Sequence, residues 1–143
     1  MVSAMRFFFS LLYSIELDPK LAENAKVQFR KESNINITEG DSSIQLPKLL
    51  STLSEPALFW LDGHYSGANT ALGDKQSPVM EELEAIALHK HRSKSIILID
   101  DARLFNGTND YPKLETLRKW VEQHLPTHTI HLEYDVICIL PKN

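Results

Sequence analysis

The sequence holds a single cysteine, Cys138, among 143 residues. An intrachain disulfide is therefore excluded. Because Cys138 lies inside the apolar run 136–140, we expect a buried, unreactive thiol. A lone buried cysteine fits a reducing compartment and predicts a cytoplasmic location.

The sequence also has fewer basic than acidic residues. The 15 Lys and Arg residues are scattered and outnumbered by 19 Asp and Glu, which gives a net charge of −4. Binding to the phosphate backbone of nucleic acids depends on clustered positive charge. We therefore expect no nucleic-acid partner.

Long apolar runs are missing as well, and none approaches the roughly 20 residues needed to span a bilayer. Residues 1–12 carry one positive charge ahead of a short apolar stretch and could be misread as a signal peptide. They contain no small-residue cleavage site and continue directly into a segment typical of a strand. The alternative is a buried or self-associating terminal segment, and we expect no membrane partner.

The sequence does contain a regular alternation of apolar, strand-length runs with segments of helical period. With 43% hydrophobic residues, we expect one domain over residues 1–143. The predicted class is α/β, Rossmann-like, with a mostly parallel sheet, helices on both faces and a C-terminal antiparallel strand pair. Predicted strands are 11–17, 34–38, 56–61, 95–99, 129–133 and 136–140, and predicted helices are 19–31, 43–53, 77–91 and 113–124.

Capping residues and prolines mark the predicted helix starts. Asp18 can cap a helix whose first turn holds Pro19, and Pro47 is expected in the first turn of the next helix. Ser77-Pro78 begins the third. Its predicted buried face consists of Val79, Leu83, Ile86 and Ala87.

Acidic side chains follow four successive predicted strands. In a parallel sheet all carboxyl ends lie at one edge, and ligands bind in the crevice outside that edge. The fold therefore brings these acids together although they are far apart in sequence. They are Glu16, Asp41, Asp62 and the pair Asp100 and Asp101.

Each acid has a functional and a structural interpretation. Glu16 is suited to accept hydrogen bonds from two ribose hydroxyls, or it is a solvated strand end. Asp41 could contact a ligand, but it would cap the next helix in either case. Asp62, Asp100 and Asp101 would repel one another unless a cation offset them, and oxygen ligands favour Mg²⁺ or a similar divalent ion. Alternatively, the second Asp of the pair turns back to cap or to pair with Arg103.

The strand-end motifs, in order, are Tyr-Ser-Ile-Glu-Leu-Asp, Glu-Gly-Asp-Ser-Ser, Phe-Trp-Leu-Asp-Gly-His and Ile-Leu-Ile-Asp-Asp-Ala. Over residues 12–142 this order resembles class I S-adenosylmethionine-dependent methyltransferases. The metal-dependent O-methyltransferases of the macrocin type, which act on sugars, are the most similar. The resemblance implies methyl transfer from the sulfonium to a hydroxyl of a small molecule, assisted by a divalent metal.

The resemblance also implies roles for individual residues. Glu16 would bind the cofactor ribose, and Asp41 with Ser42 would lie against the adenine. Asp62 or His64 would take the proton, although a lone loop histidine is more often merely exposed. The implied magnesium ligands are Asp62, Asp100 and Asp101. The loop 64–76 is expected to be a substrate lid or, equally, disordered.

The sequence departs from the family at its start. A strand, a glycine-rich turn and a helix need roughly 30 residues, but about a dozen precede the Glu16 strand and no glycine precedes Gly40. We therefore expect that the first strand and its glycine-rich loop are absent. The exposed edge would be covered by the N-terminal segment or by a second copy of the chain in a homo-oligomer, or the gene is truncated and cofactor binding is weakened.

Two other functions fit parts of the pattern. A truncated, non-catalytic methyltransferase-like domain would keep the sheet and act in self-association or in a larger assembly. A receiver-type or metal-dependent phosphoryl-transfer domain also places acids at strand ends. That class would require a nucleophilic Asp at the first strand and a late strand-end Lys, and the order here fits poorly.

Overall fold

A computed structural model describes residues 2–62 and 77–142. Strands and helices alternate along the chain as the sequence predicts, and most observed bounds lie within three residues of the predicted ones. The helices are α1 (Val2–Met5), α2 (Pro19–Phe29), α3 (Ser42–Thr52), α4 (Val79–Leu88) and α5 (Leu114–His124). The strands are β1 (Leu12–Glu16), β2 (Ile35–Glu39), β3 (Leu58–Leu61), β4 (Ile96–Ile99), β5 (His128–Glu133) and β6 (Val136–Pro141).

The strands form two sheets in the described part of the chain. β1 and β2 pair in parallel, and the second sheet has the order β3-β4-β6-β5. In it β3 and β4 are parallel, whereas β6 runs antiparallel to both β4 and β5. The α/β class, the parallel pairing and the antiparallel C-terminal pair are thus confirmed. Among the described strands, β1 and β3 each have a hydrogen-bonded neighbour on one side only.

The hydrophobic core is centred on β4 and β6. Ile97, Ile99, Ile137 and Ile139 are almost completely buried, and side chains of α4 and α5 belong to the same cluster. Burial of each such side chain contributes about 1.5–3 kcal/mol. Cys138 is a buried free thiol, as predicted, and burial raises its pKa.

Helix α2 begins as the sequence predicts. The carboxylate of Asp18 accepts hydrogen bonds from the backbone N–H groups of Lys20 (2.8 Å) and Leu21 (3.0 Å). Pro19 occupies the first helical position, where the missing N–H removes no helical hydrogen bond.

The prediction for Pro47 is wrong. Helix α3 begins at Ser42, so Pro47 lies in its interior and removes one helical hydrogen bond. Pro47 is the sixth helical residue and would be the fifth even from the predicted start at residue 43, so in both cases it lies beyond a first turn of about 3.6 residues.

The buried face of α4 also differs from the prediction. Val79, Leu83 and Ile86 are buried, but Ala87 is only partly buried and Glu82 takes its place. Spacings of three and four residues from Val79 and Ile86 put position 82 on the inward stripe. A charged residue at an apolar position was not expected.

The N-terminal segment is tied down by Asn34, whose side-chain amide donates to the carbonyls of Arg6 (3.2 Å) and Phe9 (3.3 Å). Phe7 and Phe8 are nevertheless 79% exposed. Of the two alternatives for this segment, burial is wrong for these two side chains, and self-association stays a prediction. Over residues 2–62 and 77–142, no helix combines the length and the apolar character that a membrane crossing demands.

Candidate functional site

The carboxyl ends of β1 and β2 form one edge of the candidate site. Glu16 and Glu39 are partners in the parallel register, and the Gly40 N–H donates to the Glu16 carbonyl at 2.9 Å. Gly40 has a backbone φ of +133°, a conformation that residues other than glycine rarely adopt. This turn places Asp41 directly beside the end of β1.

Glu16 is half-buried at this edge. Its Oε1 accepts a hydrogen bond from the Asp18 N–H at 2.9 Å. A carboxylate has about four acceptor sites, so this bond leaves capacity for the two ribose hydroxyls. The ribose role remains a prediction, and the geometry is compatible with it.

Asp41 acts as a helix cap. Its Oδ1 accepts from the Ser43 N–H (2.8 Å) and from the Ser43 hydroxyl (2.6 Å). The structural interpretation of Asp41 is therefore confirmed, and contact with the adenine remains a prediction for Asp41 and Ser42. Ser42 is the first residue of α3 and is partly buried.

The ends of β3 and β4 form the second edge. Leu61 and Ile99 are partners in the register, so Asp62 and Asp100 follow neighbouring strand ends, and the Asp100 N–H donates to the Leu61 carbonyl at 3.0 Å. A small, partly open recess lies here. Its lining residues are Leu61, Asp62, Ser77, Val79, Glu82, Ile99, Asp100 and Tyr111.

Asp101 does not line this recess. Its backbone is left-handed, with φ 57° and ψ 47°, and its Oδ1 lies 2.7 Å from Arg103 Nη1. Arg103 also pairs with Asp135. The alternative interpretation, in which the second Asp turns back to Arg103, is confirmed.

The described residues do not show the predicted magnesium site, which stays a prediction. Within residues 2–62 and 77–142, no three His, Cys, Asp or Glu side chains are placed to hold a metal ion. Asp62 and Asp100 share the recess, but the Asp101 carboxylate is ion-paired with Arg103. The three carboxylates therefore do not act as one ligand set.

Glu82 is the site residue that the sequence reasoning missed. It is only 4% exposed, and burial raises the pKa of its carboxyl to about 7. A hydrogen bond with the Ser42 side chain lowers this pKa, whereas the charges of Asp41 and Glu81 raise it. Among the described residues, its Oε2 has no hydrogen-bond partner, which is costly for a buried polar atom.

Two buried hydroxyl groups lie in the same recess. Tyr111 packs edge-to-face on Phe105, with ring centroids 5.1 Å apart, and Ser77 is 2% exposed. Burial raises the pKa of Tyr111, and a hydrogen bond with Ser77 lowers it. The negative charges nearby that raise it are those of Asp101, Asp62 and Glu82.

Glu82 connects the two edges. It interacts with Ser42 and Asp41 beside the β1–β2 edge and lines the recess with Asp62 and Asp100 at the β3–β4 edge. Three of the strand-end acids, Asp41, Asp62 and Asp100, thus lie around Glu82. His64 and the loop 64–76 lie outside the described residues.

No protein-family model matches the chain, and no curated protein matches its sequence. Among solved structures, the chain is similar to the SAH-bound methyltransferase PaMTH1 of Podospora anserina, with a TM-score of 0.60 and 17% sequence identity. The chain shares the fold of this methyltransferase. The match covers 93% of this chain and 61% of that one, so the chain spans about three fifths of the length of PaMTH1.

This likeness confirms the predicted Rossmann-like fold of methyltransferases. In folds of this kind, ligands bind outside the carboxyl ends of the parallel strands. Glu16 and Asp41 lie at such strand ends on the β1–β2 edge, and Asp62 and Asp100 lie at such ends on the β3–β4 edge.

Proposed function

We propose that this chain binds S-adenosylmethionine at the carboxyl ends of its parallel strands and transfers the methyl group to a hydroxyl of a small molecule. The observation that carries the proposal is the fold shared with an SAH-bound methyltransferase over 93% of the chain. The acids Glu16 and Asp41 at the edge of β1 and β2 support the same location.

The residues at the β1–β2 edge suit the nucleoside part of the cofactor. Glu16 would accept hydrogen bonds from the ribose hydroxyls with the acceptor sites that the Asp18 N–H does not use. Asp41 and Ser42 would border the adenine, held in place by the cap of α3. When bound, the cofactor supplies an electrophilic methyl group on a sulfonium.

At the β3–β4 edge, the recess would orient the methyl acceptor. Its apolar floor of Leu61, Val79 and Ile99 excludes water beneath a bound group, and Asp62 stands at the exposed rim. Holding the acceptor close to the methyl donor in a fixed orientation removes much of the entropic barrier. We propose Asp62 or His64 as the base that takes the hydroxyl proton.

No step proposed for these residues depends on a metal ion. Asp62, Asp100 and Asp101 do not fit a metal ion in the arrangement described, because Asp101 is paired with Arg103. The steps above use only the side chains of this chain.

Calorimetry with S-adenosylhomocysteine tests the proposal. Saturable binding is expected, and Glu16→Gln should weaken it at least tenfold, because a hydrogen bond to a charged group contributes roughly 1.5–3 kcal/mol. Glu39→Gln is the matched control, since Glu39 lies at the same edge but pairs with Lys26 at 3.6 Å. An absence of heat at high micromolar protein would contradict the proposal.

A second candidate is a non-catalytic domain that acts in self-association. The observation in its favour is that β1 and β3, in the described part of the chain, each lack a strand on one side. Unpaired edges of this kind can pair with another chain.

A further inference from the structure

The amino ends of the parallel strands form a face opposite the candidate site. Glu82 interacts with Asp41 after β2 and lines a recess with Asp62 after β3, so the carboxyl ends of both strand pairs lie on one side of the molecule. Helices α3 and α4 pack against each other and lead back to the other side, where β3 and β4 begin. We define the amino-end face by the segments that directly precede the four parallel strands, residues 6–11, 30–34, 54–57 and 88–95.

This face is basic, although the chain as a whole has a net charge of −4. Its acidic residues are Glu32 and Glu55. Within residues 2–62 and 77–142, none of its lysines and arginines forms an ion pair, so no salt bridge offsets their charge. The strand-end acids lie on the opposite side. The basic residues of the amino-end face are Arg6, Arg30, Lys31, Lys90, Arg92 and Lys94.

Large apolar side chains project from the same face. Leu88, the last residue of α4, is 85% exposed, and Leu11 is 54% exposed. Phe7 and Phe8, described above, are the most exposed aromatic side chains of this face. Exposed apolar side chains grouped on one surface and surrounded by polar residues mark a contact with another protein or with a membrane.

The phenylalanines are held beside the basic residues. The guanidinium carbon of Arg6 lies 4.6 Å from the centre of the Phe7 ring, a cation–π contact. The Asn34 amide donates to the carbonyls of Arg6 and Phe9. Because Asn34 belongs to the basic turn at residues 30–34, a single partner can contact the aromatic and the basic groups together.

An anionic lipid surface fits this combination. Binding to such a surface combines burial of apolar side chains at the headgroup boundary with attraction of basic side chains to anionic lipids. The basic and apolar groups lie at the starts of different strands, and a planar partner can contact them all at once. A second copy that offered the same face would bring like charges together. Nucleic acids are bound through their phosphates, which gives Leu88 no role.

We propose that the amino-end face docks on an anionic lipid surface, with Phe7, Phe8 and Leu88 entering the headgroup region and the basic residues contacting the anionic headgroups. The candidate site at the carboxyl ends then faces the aqueous phase. The sequence-based expectation of no membrane partner depends on the lack of a spanning segment, and a surface contact requires none. This docking does not depend on the proposed methyl transfer.

Vesicle flotation of the full chain tests the apolar part of the contact. We expect binding to phosphatidylcholine vesicles that contain about one third phosphatidylserine, and little binding to pure phosphatidylcholine. Phe7→Ser and Leu88→Ser should each weaken binding roughly tenfold, because each removes an apolar side chain from the lipid boundary. Tyr134→Ser is the matched control. Tyr134 is 97% exposed, but its neighbour Asp135 accepts from the Ala102 N–H beyond the carboxyl end of β4.

The same assay tests the basic part of the contact. Lys31→Ala and Lys94→Ala should each weaken binding roughly fivefold, and the double variant should show the product of both effects, since one plane contacts both residues. Lys119→Ala is the charge-matched control, because Lys119 lies in α5 and pairs with Glu115. It should leave binding nearly unchanged. Circular dichroism checks that each variant is folded.

Equal binding to the two kinds of vesicle overturns the proposal, as does unchanged binding of Phe7→Ser and Leu88→Ser. The same variants identify two other partners. A nucleic-acid surface would bind a DNA duplex, with a loss in Lys94→Ala and none in Leu88→Ser. A contact with a second copy would give a dimer in the absence of vesicles that Phe7→Ser abolishes. Either result overturns the lipid assignment.

Discussion

At the scale of single residues, the site is defined by carboxylates with different surroundings. Asp101 is neutralised by Arg103 at 2.7 Å, whereas Glu82 is buried beside other acids. Helical period explains why position 82 faces inward, but period alone predicts an apolar residue there. A buried glutamate at such a position makes the free energy of unfolding of the protein depend on pH.

The pH dependence of stability is a first prediction. The folded-state pKa of Glu82, about 7, lies above the ordinary glutamate value of 4.5, so the folded state binds more protons and the free energy of unfolding falls as pH rises between these values. Over this pH range, ionisation of Glu82 lowers the free energy of unfolding by about 3 kcal/mol. Urea unfolding at pH 5 and pH 7.5 should show that Glu82→Gln gains stability relative to wild type at the higher pH. Glu84→Gln serves as the control, and parallel profiles for all three proteins would contradict the assignment.

Gly40 carries a second prediction at this scale. Gly40→Ala should lower the free energy of unfolding by about 1–3 kcal/mol, because φ +133° strains any residue with a Cβ. The added Cβ would also lie 2.7 Å from Gln45 Nε2. Urea unfolding of Gly40→Ala in a Gln45→Ala background separates the causes, since removing that side chain relieves the contact but not the strain. Full recovery in the double variant would rule out backbone strain.

At the scale of elements, the helix starts follow from local chemistry. Asp18 satisfies the Lys20 and Leu21 N–H groups of α2, and Asp41 satisfies that of Ser43 in α3. Both acids also lie at the ends of strands that border the candidate site. Capping therefore fixes the helices and the site edge together.

The cap of α2 gives a third prediction. Asp18→Ala should destabilise the protein by about 1 kcal/mol, because two backbone donors lose their acceptor. Asp18→Asn, whose side-chain oxygen can still accept these hydrogen bonds, should destabilise the protein much less. Thermal unfolding followed by circular dichroism measures both, and an equal loss in the two variants would show that charge, not capping, is responsible.

At the scale of the whole molecule, the parallel strands form two pairs rather than one continuous sheet. β1 and β3 each have one strand neighbour in the described part of the chain. Ile15 of β1 nevertheless packs on the main core. Backbone groups on an unpaired edge favour pairing with another strand.

Self-association is the prediction that belongs to this scale. Sedimentation velocity should show a dimer whose population rises with concentration in the micromolar range. Tyr13→Pro in β1 should weaken it, because proline removes a backbone donor from the edge. Pro substitution at exposed Leu132, whose N–H points away from β6 in edge strand β5, is the comparison. Equal weakening of the dimer by both substitutions would exclude β1 as the specific contact.

The sequence by itself determined the order of strands and helices, the α2 cap, the C-terminal strand pair and the presence of acids at strand ends. These depend on period, capping and short-range turns, which are local properties of the chain. Only the tertiary structure decided that Asp101 pairs with Arg103, that Pro47 lies inside α3, and that Glu82 joins Asp62 and Asp100 around one recess. Those outcomes depend on burial and on contacts between distant segments, because the field at a carboxyl group is set by whatever the fold places beside it.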